Sequence, residues 1–261
     1  MTPTLYHCTE QCLFCWRAQS SDLKIDWDET KLREWDSPEE IVEGSIREQL
    51  RILSGYKANL KVEKRKFQEA LTPRHVAISL TGEPTLYPQI GELIRIFHTR
   101  GFTTFLVSNG TIPATLAKLS DEPTQLYISA CACDKKTFSR ICRPQVEGAW
   151  EKLKETLTLL RSFKCPTVIR ITLANSLNMT NVKGYSRLID KADPTYVEPK
   201  GYMHVGFSRL RLSYDATPSH LEIKEFARQL SLETGYGILD ESAESRVVLL
   251  SKLQVPIRLI H

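Results

Sequence analysis

The chain of 261 residues has no apolar run near the ~20 residues that a helix needs to cross a bilayer, which excludes a membrane-spanning class. No basic, apolar and small-residue series opens it, so a secretory leader is not expected and the cytosol is. It lacks low-complexity tracts, a clear interdomain linker and any repeat beyond one alternating unit, and at this length one domain is the economical reading. Histidine is sparse: His7, His75, His98, His204, His220 and His261 stand at no spacing that would hold a metal. Neither sign of charge dominates, and a net charge of +4 permits a nucleic-acid partner without arguing for one. The 41% hydrophobic and 25% charged residues are those of an ordinary globular protein.

What the chain does have is cysteine, in an odd number and unevenly spread. Seven cysteines, three of them clustered, suit a reducing compartment and a metal site better than a disulfide framework. Cys8, Cys12 and Cys15 are spaced C-x3-C-x2-C, which gathers three thiolates on one short loop. A cubane [4Fe–4S] cluster has four irons, so a three-cysteine loop leaves one iron open for chemistry. A zinc knuckle and unrelated free thiols are the alternatives; structural zinc normally takes four ligands, and no fourth Cys or His follows at finger spacing. Cys131, Cys133 and Cys142 form a second set, C-x-C-x8-C, read as buried or incidental thiols in preference to further cluster ligands.

Strand and helix signals alternate along the rest. Ser37-Pro38-Glu39-Glu40 reads as a capping box that starts a helix running to about Gly55, with Val42, Ile46, Leu50 and Leu53 as a core-facing stripe. Lys57, Lys61, Lys64, Arg65 and Lys66 then make a basic run, either a solvated face or a patch that contacts phosphates. Strands are expected over 75–80, 103–107, 125–130, 167–173 and 196–199, with helices from Pro88, from Pro113, over 147–163, over 182–191 and from Pro218 to about Thr234. Such alternation requires parallel pairing with right-handed crossovers. The expected class is α/β, a partial (βα)6 barrel of the TIM type, with residues 1–235 as the core and 236–261 as a C-terminal strand extension packed on the same domain. Reactive groups of such barrels sit on loops after the strands.

Several residues fall on those loops. In Gly82-Glu83-Pro84 the glycine lets backbone approach a ligand and Glu83 can accept charge-assisted hydrogen bonds from an ammonium; a plain turn is the alternative. Ser108-Asn109, Ser129 and Arg170 stand at or near strand ends, the last two equally readable as core-edge polar residues. Lys200 follows a strand, where partial desolvation suits a lysine that forms a Schiff base with a carbonyl, although a lone lysine is usually a surface one.

The cluster loop with Phe14 before its third cysteine, and Gly82-Glu83-Pro84 after a strand, resemble the radical SAM superfamily. The series Cys15-Trp16-Arg17, Ile78 to Pro84, Phe105 to Asn109, Gln125 to Ser129, Arg170 to Leu173, Asn178-Met179 and Val197 to Met203 resembles, over almost the whole chain, the 4-demethylwyosine synthases in their archaeal single-module form. The resemblance implies that Cys8, Cys12 and Cys15 hold a [4Fe–4S] cluster. It further implies that S-adenosylmethionine is bound by the open iron with Phe14, Gly82, Glu83, Pro84, Ser108, Asn109, Ser129 and Arg170. It implies a radical that takes hydrogen from the methyl group of N1-methylguanosine 3′ of a tRNA anticodon, addition to pyruvate and closure of a tricyclic base. Lys200 becomes the candidate for holding pyruvate as an imine, and Lys61, Lys64 and Arg65 for holding phosphates of the anticodon loop. Family members carry a second [4Fe–4S] cluster on three cysteines of an N-terminal segment; a second cluster is thus expected of the family, but its ligands are missing from this sequence. With no flavodoxin-like module, an external low-potential donor such as flavodoxin or ferredoxin is expected, and the protein is expected to be a monomer. Two other readings stay open: a radical SAM enzyme of different substrate, and a non-catalytic tRNA-binding relative.

Overall fold

The computed structural model describes residues 1–259. A short helix α1 (Ser20–Leu23) follows the cysteine loop, and helices α2 (Pro38–Ser54) and α3 (Lys64–Ala70) lead into the first strand. From there the chain alternates: β1 (His75–Ile78), α4 (Ile90–Thr99), β2 (Thr103–Ser108), α5 (Pro113–Ala117) and β3 (Gln125–Ser129). Helices α6 (Lys135–Cys142) and α7 (Ala149–Leu159) precede β4 (Thr167–Leu173), and α8 (Val182–Ala192) precedes β5 (Tyr196–Gly201). The chain closes with α9 (His220–Thr234), β6 (Gly237–Ser242) and β7 (Val247–Ser251).

These strands form one seven-stranded sheet in the order β1-β2-β3-β4-β5-β7-β6. Strands β1 to β5 pair in parallel; β7 runs antiparallel to β5, and β6 antiparallel to β7. The α/β class and the barrel-type sheet are as expected, but five parallel strands replace the six βα units. The free edge of β1 is taken up by Met1, whose amino group donates to Ala77 O at 2.8 Å and whose carbonyl accepts from Ser79 N.

Strand residues alternate between two environments, as the pleat requires. Ile78, Leu106, Leu126, Ile128, Ile169, Ile171 and Val197 are buried against helices, meeting Leu93, Ile94 and Phe97 of α4, Leu153 and Leu157 of α7, and Ile223 and Leu230 of α9. The residues between them are polar: Gln125, Tyr127 and Ser129 on β3, Arg170 and Thr172 on β4, Glu198 and Lys200 on β5. This second face lines the barrel interior and, at the strands' C-terminal ends, the site.

Caps set the helix ends. Ser37 Oγ accepts Glu40 N–H at 3.3 Å while Glu40 Oε2 accepts Ser37 N–H at 2.9 Å, the predicted box; Ser219 and Glu222 repeat it on α9. The stripe on α2 is corrected: Val42 is fully buried, whereas Leu50 is 38% exposed and Ile46 and Leu53 are only partly covered. Only the first half of α2 lies on the core, where Tyr87 Oη donates to Asp36 O at 2.8 Å. The end of the basic run is helical, in α3, and α6 was not anticipated: it is short, and five of its eight residues are polar or charged.

Candidate active site

At the C-terminal ends of the parallel strands lies a cavity of about 600 Å³, in the size range of small-molecule and cofactor sites. Of the residues singled out from sequence, Cys8, Cys12, Phe14, Cys15, Gly82, Glu83, Ser108, Asn109, Ser129 and Lys200 all line it. Pro84 and Arg170 do not. Pro84 is buried at the start of a 3-10 turn, where its fixed φ suits the first position. The Arg170 guanidinium pairs with Glu198 at 2.9 Å and lies over the Tyr127 ring, 4.6 Å from its centroid. Lys61, Lys64 and Arg65 are exposed on α3 and the turn before it and take no part in the cavity; Arg65 pairs with Glu69 at 2.9 Å.

The cysteine loop owes its shape to partners far away in sequence. It runs against the end of α6: Gln145 N–H donates to Thr9 O at 2.8 Å, Gln11 N–H to Cys142 O at 3.0 Å and Leu13 N–H to Ile141 O at 2.9 Å. Arg143, in the left-handed region with φ of 45°, sends Nε to Gln11 O at 2.6 Å and Nη2 to Gln19 Oε1 at 2.7 Å. Arg211 reaches in from beyond β5. Its Nε donates to Leu13 O at 3.3 Å, its Nη2 to the carbonyls of Cys15 and Arg17, and its Nη1 pairs with Asp22. Trp27 Nε1 donates to Cys8 O at 2.6 Å. Backbone carbonyls of a loop that presents its side chains to a cavity need donors from elsewhere, and these side chains supply them. Nothing local in the sequence marks Arg211, since its partners lie almost the whole chain away.

Glu83 is where the first two strand-end loops meet the cysteine loop. Its Oε1 accepts from Thr85 N–H at 3.0 Å, Thr85 Oγ1 at 2.6 Å and Ser108 Oγ at 2.8 Å; its Oε2 accepts from Asn109 N–H at 2.7 Å. Burial raises its pKa from the usual carboxylate range, against those hydrogen bonds, with Asn109 first among them, which favour the charged form. Asn109 Nδ2 in turn donates to Thr9 Oγ1 at 2.8 Å and points at Cys8 Sγ. The expectation for Gly82 is refined. It has φ of 68°, and an added Cβ would meet Thr4 Oγ1 at 2.3 Å and the carbonyl oxygens of Leu5 and His7 at 2.7 and 2.8 Å. Its missing side chain thus admits the N-terminal segment of this chain.

All seven cysteines are free thiols. Burial first, then the nearby Glu83 and Glu10, push Cys8 well above the usual thiol range; a hydrogen bond with Cys142, then burial, does the same for Cys12. Burial also pushes Glu10 up to about 8. Cys8 and Cys12, kept neutral in a dry wall, are poor nucleophiles, but a cationic iron centre would stabilise their thiolate forms, and metal binding would then release the protons. The donor set fits a cubane: Cys8, Cys12 and Cys15 would hold three of its irons and leave the fourth without a protein ligand. Lys200 and Thr172 line the same space. So does Arg17, which sequence reasoning quoted only as a neighbour of the loop: its guanidinium stacks 3.8 Å over the Trp16 ring, and its Nε is buried without a hydrogen-bond partner among the described residues.

Comparison with known proteins agrees with this geometry. The family profile described as the Radical SAM superfamily matches residues 2–189, and the one described as Wyosine base formation matches residues 191–252, the part that carries Lys200 and Arg211. The chain is 47% identical over 256 residues, 97% of its own length and 74% of the other's, to a protein of Pyrococcus abyssi named S-adenosyl-L-methionine-dependent tRNA 4-demethylwyosine synthase. It is 44% identical to the protein of the same name from Methanocaldococcus jannaschii, over 95% of this chain and 79% of that one. Among solved structures it superposes with a TM-score of 0.85 and 41% identity on one described as TYW1 with a lysine–pyruvate adduct bound, covering 96% of this chain and 78% of that one.

Proposed function

Since this chain belongs to the radical SAM superfamily, and within it to the tRNA 4-demethylwyosine synthases, we propose that it condenses N1-methylguanosine 3′ of a tRNA anticodon with pyruvate to give 4-demethylwyosine. The observation that carries the reading is that one cavity brings together three free thiols at cluster spacing, the Glu83–Asn109 network and the amine of Lys200. When bound, the [4Fe–4S] cluster on Cys8, Cys12 and Cys15 and its S-adenosylmethionine supply a 5′-deoxyadenosyl radical that takes hydrogen from the base's methyl group. Phe14, Gly82, Glu83, Ser108, Asn109 and Ser129 line the space for S-adenosylmethionine, with Glu83 as acceptor for its ammonium. Arg170 lies outside the lining and acts through its pair with Glu198, and Pro84 acts by fixing the turn that carries Glu83.

Lys200 holds pyruvate: its amine adds to the ketone carbon and water leaves, forming an imine. The lysine–pyruvate adduct described for the solved relative supports this role, and Arg17, with its unpartnered Nε, is placed to bind the pyruvate carboxylate. The carbon radical of the methyl group adds to the imine carbon, and the bond to the carboxyl carbon breaks. That carbon leaves as the carbon dioxide radical anion, which takes an electron from the low-potential donor and a proton to become formate, while the exocyclic amine of the guanine displaces the Lys200 amine and closes the ring. A base must leave its stack to reach such a cavity, and the mouth offers surfaces for it: Tyr6, Trp16, Leu80 and Met203 line the cavity and are each more than two-fifths exposed. The exposed Lys61, Lys64 and Arg65 hold phosphates, and an external low-potential donor such as flavodoxin or ferredoxin supplies the electron. A tRNA substrate places the work in the cytoplasm, and no helix among the described residues is long and apolar enough to cross a membrane.

The test is anaerobic incubation of reconstituted protein with tRNA bearing N1-methylguanosine, S-adenosylmethionine, pyruvate and dithionite, followed by mass spectrometry of the hydrolysate. The tricyclic base is expected. Borohydride should fix labelled pyruvate to the wild type and not to Lys200→Ala, which should still form 5′-deoxyadenosine; labelling of Lys200→Ala would remove the assignment of this lysine.

A further inference from the structure

Behind the cysteine loop is a second group of metal-ligating atoms. One ligand atom each from Glu10, Cys12 and Cys142 lies within 4.8 Å of the others. The Cys12 thiol donates to Glu10 Oε2 at 3.1 Å and hydrogen-bonds with Cys142. Glu10 is 7% exposed and Cys142 2%. The other carboxylate oxygen, Glu10 Oε1, is buried with no hydrogen-bond partner among the described residues, an uncompensated acceptor in a place where one is costly.

We propose that the chain without its cluster binds one soft divalent cation, of the zinc or ferrous class, between Glu10, Cys12 and Cys142.

Two thiolates and a carboxylate are the donors such ions prefer, and tetrahedral coordination with metal–sulfur bonds near 2.3 Å and metal–oxygen bonds near 2.1 Å sets donors about 3.6–3.8 Å apart. The three atoms are already near that spacing. Their backbones are held in register by the bonds from Gln11 N–H to Cys142 O and from Leu13 N–H to Ile141 O, so little ordering is needed on binding. Glu10 and Cys12 line the cavity, which gives the ion its way in, while Cys142 closes the site from behind. Cys131 also lines the cavity and interacts electrostatically with both thiols. It or a water supplies the fourth ligand. Because Cys12 belongs to both sites, the ion and the cubane exclude each other. The ion-bound form is a waiting state that holds the middle cysteine of the loop until a cluster is built.

Cobalt(II) is the probe. Titrated anaerobically into the cluster-free full chain carrying Cys8→Ser and Cys15→Ser, it should give thiolate charge-transfer absorption that saturates at one ion per chain. Adding Cys142→Ser, or separately Glu10→Gln, should weaken binding at least about tenfold, with circular dichroism confirming that each variant is folded. Binding unchanged in both variants, or no binding in the Cys8→Ser/Cys15→Ser chain, overturns the proposal. In the wild type, prior loading with Zn2+ should slow cluster reconstitution, and in Cys142→Ser it should not; equal rates with and without Zn2+ in the wild type overturn the claim that the two states exclude each other.

Discussion

Replacing Arg211 with methionine keeps most of the side chain's bulk and removes its charge and its donors. Four acceptors lose a partner: the Asp22 carboxylate and the carbonyls of Leu13, Cys15 and Arg17. The pair is deep, with side chains 7% and 9% exposed, so water does not take the guanidinium's place. Breaking a buried ion pair from one side costs about 3–5 kcal/mol, because the other charge is left stranded. Asp22 keeps one donor, Gln19 N–H at 2.8 Å, which puts the loss at the lower end, about 3 kcal/mol. For a chain of this size that lowers Tm by about 6–12 °C. Since three of the four acceptors belong to the cysteine loop, iron retention should fall further than stability does. The assay is thermal unfolding of the cluster-free chain together with iron and sulfide counts after anaerobic reconstitution. Adding Asp22→Asn to Arg211→Met removes the stranded charge and should restore about 1–2 kcal/mol. If Arg211→Met melts within about 2 °C of the wild type, or if the double variant is no more stable than the single one, the pair is not what holds the loop.

Changing Cys8, Cys12 and Cys15 to alanine should abolish cluster assembly, read as loss of bound iron and sulfide from about four of each per chain; full iron in that variant would mean that other cysteines serve. Gly82→Ala combines a left-handed φ with a Cβ 2.3 Å from Thr4 Oγ1, and should cost about 2 kcal/mol or more in denaturant unfolding. Glu83→Gln replaces an acceptor of four hydrogen bonds by a group that is half donor, and should destabilise by about 1–3 kcal/mol while also weakening S-adenosylmethionine binding measured by equilibrium dialysis. Ser37→Ala removes a cap far from the site and should cost about 1 kcal/mol with no change in iron content, which makes it a control for stability loss alone.

The superposition at a TM-score of 0.85 extends over 96% of the chain, so the loops that position Glu83 and Lys200 share a framework with the solved relative. The two family profiles divide the chain at about residue 190, yet the sheet does not divide there: β5 and β7 continue it without a break. Arg211 ties the second part to the cysteine loop of the first. Radical chemistry needs a cavity that water does not enter freely, and joining the two parts around one cavity serves that need.

The sequence by itself settled the local features. Residue pattern alone pointed to strands over 75–80, 103–107 and 167–173, which the fold forms over 75–78, 103–108 and 167–173, and to the long helices between them, because a strand buried on one side and a helix on one face each leave a pattern within a few residues. The spacing of Cys8, Cys12 and Cys15 marked the loop that lines the cavity for the same reason: three thiols on one short loop are neighbours in sequence as well as in space. Only the tertiary structure decided the rest. It kept Arg170 out of the cavity lining and paired it with Glu198, gave Gly82 to the N-terminal segment, exposed Leu50, and turned β6 and β7 antiparallel. It also brought Cys142 to Cys12 and Arg211 to Cys15, partners 130 and 196 residues apart. Such pairs leave no period or spacing to read, since their proximity is fixed by how sheet and helices stack and not by the residues between them.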